Sequence, residues 1–368
     1  MRSKLPFSLA HIACFTFAAL SASLVSGCGP DNNADTKAPG SGGNAATTAG
    51  GTSNGAPPST PAGNFKVALV MSGPTSDNGW NAGAYSALQA VQKDLGLGKD
   101  DIAYIDNQTS ADKQAASLRE YAAKNFNVVI GHGNEYQDVA KSLEAKFPKT
   151  TFIVSSSDFV GKNTTPIVLQ LEDGAYLEGM LAAGMSKTGK IGEVGAEKIP
   201  PVASVFTAFE KGAKAVNPKI IVLPAVYTNS WDDPNKAKGA TLPLIDQGAD
   251  VIMQDVDAAA QGVFNAVQSR NKADKPVYAL GTNKDQNEQA PDVILASAPI
   301  NIDKAFIAIC KQVKEGTFKP SATPWDMKSG VIGFVLNPKL EAKIDPKLKQ
   351  QIQDTQKKIL DGTFSVMK

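Results

Sequence analysis

Residues 66–81 read KVALVMSGPTSDNGWN: an apolar run of strand length that stops at glycine, proline and small polar residues, then restarts as a helix. The helix shows itself in Ala84, Leu88, Val91 and Leu95, which share one face at 3.6 residues per turn. An uninterrupted apolar strand belongs in a parallel sheet, where helices cover both faces. The same unit recurs along the chain. Strands are expected over 102–106, 127–130, 151–154 and 167–171, with helices through Leu118 and Ala122 and through Val139 and Leu143. A second series follows, with strands over 190–194, 220–226, 251–254, 277–280, 293–296 and 331–335. Its helices cover 176–185, 202–216, 237–247 (in spite of Gly239 and Pro243), the segment through Val263 and Val267, 302–313, and 347–360. Two such series in tandem predict an α/β chain of two doubly wound parallel-sheet lobes joined by a multi-strand hinge. Lobe 1 is expected over about 64–171 plus 298–330, and lobe 2 over about 172–297 plus 331–368.

The residues before this unit are of a different kind. Arg2 and Lys4 precede an apolar run from Phe7 to Val25, which ends in Val25-Ser26-Gly27-Cys28. An aliphatic residue, two small ones and a cysteine form the pattern of a bacterial lipoprotein signal, with Cys28 as the lipidation site. Residues 1–27 are therefore expected to be a signal peptide; a retained transmembrane helix is the alternative reading of that long run. Either places the rest of the chain outside the cytoplasm on a membrane tether. Residues 28–63 are Gly, Ser, Thr, Asn, Ala and Pro with almost no large apolar side chain, a composition expected to form a linker spanning about 30 Å as a coil. Gly51-Thr52-Ser53-Asn54-Gly55 matches the nucleophile-elbow pattern by letter but lacks the strand and helix that the elbow joins.

Composition narrows the function. The chain has 37 basic and 36 acidic residues. Setting aside Arg2 and Lys4 tips the balance to −1, so no basic field favours nucleic acid. The three cysteines are Cys14, Cys28 and Cys310; the last stands alone in an apolar helix and reads as an inert buried thiol. The two histidines are His11 and His132, so the body of the chain has one imidazole, too few for a multi-histidine metal site. No metal and no cofactor is called for. Gly131-His132-Gly133 fails the dinucleotide fingerprint, because Tyr136 stands where the third glycine belongs. His132 with Ser155, Ser156 or Ser157 and Asp158 has the residue types of a hydrolase triad, but nothing in the spacing selects one.

In doubly wound sheets ligands collect at the carboxyl ends of the strands, and in two-lobed proteins between the lobes. The candidate site residues are therefore the strand-end ones. The first loop supplies Ser72, Asp77, Trp80 and Asn81, with Asp77 or Asn78 also suited to capping the helix. His132 follows the third strand, and Ser156 and Asp158 the fourth. The second series adds Trp231, Asp255, Asp257 and Asn283. Trp80 and Trp231 hold equivalent places in the two series, so two indoles would close on a flat ring from both sides.

These residues resemble the basic membrane protein family, the substrate-binding lipoproteins that include the purine nucleoside receptor A type. The similar stretches are KVALVMSGPTSDNGWN, GKIGEVGAEKIPPVASVFTAFEKGAKAVNP, TNSWDDPNKAKGATLPLIDQGADVI and DVILASAPINIDKAF. The resemblance implies a type I periplasmic-binding-protein fold over 64–368. It implies a monomeric, lipid-anchored receptor that hands a purine nucleobase or nucleoside to an ABC permease, without catalysis. It further implies that Trp80 and Trp231 sandwich the purine, that Asn81 bonds it, and that Asp255 or Asp257 serves the ribose. The chain departs from the nucleoside binders at Asn78-Gly79-Trp80, where Lys-Ser-Phe is common, and at Asn283, where Asp is common. Both departures leave a free base such as adenine equally open. A sugar or other small polar solute is the alternative ligand; an extracytoplasmic nucleoside hydrolase is the enzyme alternative, and a repressor would need a helix-turn-helix at the start.

Overall fold

The computed structural model describes residues 64–368; the expected signal, Cys28 and linker lie outside the described residues. In chain order the first lobe runs β1 (Val67–Met71), α1 (Trp80–Asp94), β2 (Ile102–Ile105), α2 (Ala111–Ala123), β3 (Val128–His132), α3 (Gln137–Leu143), β4 (Thr151–Ser155) and β5 (Thr164–Leu169). The second runs α4 (Glu172–Met185), β6 (Lys190–Gly195), α5 (Pro200–Val216), β7 (Ile221–Val222), β8 (Val226–Tyr227), α6 (Pro234–Asp246), β9 (Val251–Asp255), α7 (Ala260–Arg270), β10 (Tyr278–Asn283) and β11 (Ile294–Pro299). The chain then returns through α8 (Ile302–Lys314) and β12 (Pro324–Trp325) before β13 (Val335–Leu336) and α9 (Pro346–Leu360).

The first sheet has the order β12-β5-β4-β3-β1-β2 and is parallel throughout. The second has the order β13-β11-β10-β9-β6-β7, with β8 also on β6 and only β13 antiparallel. Every residue of β1, β3, β4 and β9 is buried, as strands covered on both faces must be. This is a type I periplasmic-binding-protein fold. The chain passes between the sheets three times: after β5, after β11, and between β12 and β13. The helix α8 thus packs on α1, while α9 packs on α4.

Two strands differ from the sequence pattern. The run over 220–226 is split into β7 and β8 around Pro224, which has no N–H to give to a ladder. The run over 331–335 is mostly a hinge crossing: Ile332 makes one antiparallel bridge to Ile300, and regular pairing begins at Val335.

Burial explains the helices. In α8, Ile302, Ala305, Phe306, Ile309 and Cys310 form the inner stripe, and burial pushes the Cys310 thiol up to about 12, which leaves it unreactive. In α4 eleven of fourteen residues are buried, because α5 crosses it backbone to backbone. A Cβ on Gly179 would be driven into the Phe209 carbonyl, and one on Gly212 into the Tyr176 carbonyl. Gly212→Ala is therefore expected to lower stability by about 1–3 kcal/mol, the usual scale of overpacking. Gly239, exposed on α6 with open space around it, gives the opposite sign: Gly239→Ala should add about 0.5–1 kcal/mol of helix propensity. Urea midpoints of the two variants check both.

Candidate functional site

The carboxyl ends of the two sheets face each other across a cleft of about 970 Å³. Its lobe 1 wall starts with a cap. Asp77 Oδ1 accepts the N–H groups of Gly79 and Ala82 (2.9 Å each), and Oδ2 accepts the Asn81 N–H (2.8 Å) and the Asn81 side-chain amide (2.9 Å). One carboxylate thus holds the first turn of α1 and sets where Trp80 begins. The Trp80 indole lies on the His132 ring, with centroids 4.0 Å apart and planes 23° from parallel. His132 Nε2 meets the Trp80 carbonyl oxygen at 3.1 Å, and Nδ1 meets Ser155 Oγ at 2.9 Å.

That geometry changes the part expected of His132. At 1 % exposure, with both ring nitrogens engaged, it is a platform beneath Trp80 and does not line the cleft. Burial takes its pKa down to about 3, with the contact to the Trp80 carbonyl working weakly the other way. The Ser155–His132 pair has the atoms of a hydrolase dyad. Both are buried behind the cleft wall, and Asp158 is exposed elsewhere. Asp158 is likewise absent from the lining, because Ser156 turns the chain at φ +53° as β4 ends.

The other nine candidates meet in the cleft: Ser72, Asp77, Trp80, Asn81 and Ser156 from lobe 1, and Trp231, Asp255, Asp257 and Asn283 from lobe 2. Trp231 is half-buried against the lobe 2 core and, among the described residues, touches no other aromatic ring. Asp255, at the end of β9, is 7 % exposed and accepts no side-chain hydrogen bond among the described residues. Burial raises its pKa to about 7. Behind it Glu178 of α4 is fully buried with neither carboxylate oxygen paired; burial, then the nearby Asp255, raises its pKa well above the usual carboxylate range. Asp257 has φ +46° and accepts the Asn283 side-chain amide at 2.7 Å. Burial raises its pKa well above the usual range, with Asp255 and Asp77 adding to the effect.

Several lining residues went unread in the sequence. Glu135 follows β3 and Glu197 follows β6, one from each lobe, and Glu197 adds to the burial that raises the Glu135 pKa. The strand-end rule that selected Asp255 covers both positions, but neither stands beside a tryptophan to draw attention to it. In all, seven carboxylates line the cleft (Asp77, Glu135, Asp138, Glu197, Asp232, Asp255 and Asp257), with no lysine, arginine or histidine among the lining residues. Such a wall repels phosphate groups and accepts N–H and O–H donors.

Residues 65–368 match the family model described as ABC transporter substrate-binding protein PnrA-like. The chain belongs to that family. Curated relatives agree. A purine-binding protein of Brucella abortus is 29% identical over 73% of this chain and 74% of its own length. Basic membrane protein A2 of Borrelia garinii is 26% identical over 82% of this chain and 88% of its own. Among solved structures, an ABC transporter solute-binding protein of Aeropyrum pernix superposes with a TM-score of 0.73 at 19% identity, covering 82% of this chain and 92% of that one; this supports the fold. The family is one of extracytoplasmic solute-binding proteins, with a small-molecule ligand and a permease partner. Among the described residues, no helix is long and apolar enough to cross a membrane.

The neutral His132 platform has a measurable signature. Between about pH 6.5 and pH 3 the unfolded chain takes up a proton that the folded chain refuses. The group therefore contributes stability above pH 6.5 that is lost as pH falls, at up to ~1.4 kcal/mol per pH unit. His132→Phe keeps a ring under Trp80 and removes that proton. Urea unfolding at pH 6.5 and 4.5 should show the variant losing about 2–3 kcal/mol less than the parent chain.

Proposed function

We propose that this protein is a lipid-anchored receptor, tethered through Cys28 on the extracytoplasmic face of the membrane, that delivers a purine nucleobase or nucleoside to an ABC importer. The observation that carries the reading is the cleft itself: one indole from each lobe on a wall otherwise rich in carboxylates and amides. A planar purine entering between Trp80 and Trp231 gains stacking worth about 1–3 kcal/mol per aromatic face. Its edge N–H groups meet acceptors such as Asp255, whose oxygens take no hydrogen bond from the described residues. Selectivity then comes from those edge bonds, because a ligand lacking a donor leaves a buried acceptor unpaired. The printed name of the Brucella relative, a purine-binding protein, supports the same ligand class.

The second reading is a sugar. The same carboxylates, together with Asn229 and Gln114, suit hydroxyl groups, and one indole face suffices to hold a pyranose. No catalytic step is proposed for either ligand. Calorimetric titration with adenine, adenosine, guanosine, ribose, glucose and adenosine monophosphate separates the readings. A purine base or nucleoside should bind, and the monophosphate should not. Trp80→Ala and Trp231→Ala should each weaken binding about 5- to 150-fold, as loss of one stacking face requires. Saturable glucose binding with no response to any purine would replace the first reading with the second.

A further inference from the structure

Behind the cleft lies a second, much smaller cavity of about 20 Å³, at the root of the hinge. Leu171 borders it where the chain leaves β5, and Ile300 and Ile332 border it where the other two crossings bridge each other. Leu171, Asp255 and Asn283 line both cavities and so form the partition between them. Glu178 of α4 lines the inner cavity alone. It cannot turn away to water, because the next residue, Gly179, is pressed against the Phe209 carbonyl of α5. Glu178 is fully buried, and neither of its carboxylate oxygens has a hydrogen-bond partner among the described residues.

Size and chemistry together select an occupant for this cavity. An enclosed water needs roughly 10–15 Å³ for its centre and two to four polar partners, so there is room for one. Asp255 supplies oxygens that accept no side-chain hydrogen bond among the described residues. A buried acid with no cation beside it stays protonated, so Glu178 has an O–H to give as well as an oxygen to receive. Thr282 Oγ1 accepts the Gln254 side-chain amide at 3.1 Å, and its own O–H proton goes to no acceptor among the described residues. Apart from these three and Asn283, the lining is apolar. A metal ion suits the cavity less well. Among the described residues no three His, Cys, Asp or Glu side chains are grouped to hold one.

We infer that the inner cavity is a one-water site and that Glu178 is a positioning residue for ligand binding: the water joins Glu178 to Asp255 and fixes Asp255 from behind. One Asp255 oxygen is then engaged at the hinge, and the other faces the cleft as an acceptor of fixed direction. The bridge works whichever of the two acids carries the proton, because a water molecule both donates and accepts. An acceptor oriented before the ligand arrives lowers the ordering cost of the bond it forms. The effect on affinity rests on the reading that a ligand donor meets Asp255, whereas the water site rests on the cavity and its lining.

The first test is a crystal structure of the full-length chain grown without ligand in rubidium chloride. The expected result is density for one water within hydrogen-bond range of both Glu178 and Asp255, with no anomalous rubidium signal. A rubidium peak in the inner cavity, or no density there, would overturn the inference. Two variants test the positioning role. Glu178→Gln keeps a donor and an acceptor for the water, whereas Glu178→Met has similar length and offers neither. With adenine and adenosine as probes, calorimetry should show Glu178→Gln binding as the parent chain does. Glu178→Met should bind about fivefold more weakly, the scale of one net hydrogen bond. Its urea midpoint should not fall, because removing a buried acid also removes the cost of burying it. Undiminished affinity in Glu178→Met would overturn the role of Glu178, and so would an affinity loss accompanied by a lower midpoint. If Glu178→Met fails to fold, the density in the parent chain and the affinity of Glu178→Gln decide the inference. A parent chain that binds neither probe removes the purine reading and leaves the density test standing.

Discussion

Asp77 ties the sequence of this protein to its cleft. It lies in the loop after the first strand, and its two oxygens collect three backbone donors and one side-chain amide from the turn that follows. Without that cap the first turn of α1 would have free N–H groups in a buried place, a cost of about 1–3 kcal/mol for each one left unpaired. The cap fixes more than a helix end. Trp80 is the first residue of α1, so its indole inherits its direction from the capped turn and its height from the His132 ring below. A wall residue is thereby made rigid before any ligand arrives, which reduces the ordering cost of binding.

The second theme is carboxylates kept from water. Glu178, Asp255 and Asp257 are all raised by burial first and by one another second or not at all. No basic residue among the cleft lining neutralises them. Buried acids without a cation resolve their cost by staying protonated or by finding donors. Asp257 has found one, in the Asn283 side-chain amide, and Asp255 accepts none among the described residues. The difference separates a group occupied by the protein from one held open toward the cleft.

The fold was legible because its evidence is local. Continuous apolar strands such as VALVM admit only a two-sided burial, and helical stripes such as Ile302–Cys310 show their inner face directly. Proline chemistry explains the main exception, the division at Pro224. The site was legible to the extent that strand ends face one another, which located both tryptophans and three of the acids. It was not legible where direction decided the outcome. A histidine between glycines after a strand reads as a ligand contact, yet α1 lies over His132 and makes it a support. Asp158 is three residues past β4, and after the left-handed turn at Ser156 it is exposed to solvent. Glu135 and Glu197 carry no local signal of their own, because facing across a cleft is a property of two distant loops.

Residue 64 lies three positions before β1, at the amino end of that strand, while the cleft lies at the carboxyl ends. The Lys66 N–H is held there by the Asn127 side chain, so the entry to β1 is part of lobe 1. Any load on the entry to β1 is therefore borne by lobe 1, at the end of its sheet opposite the ligand opening.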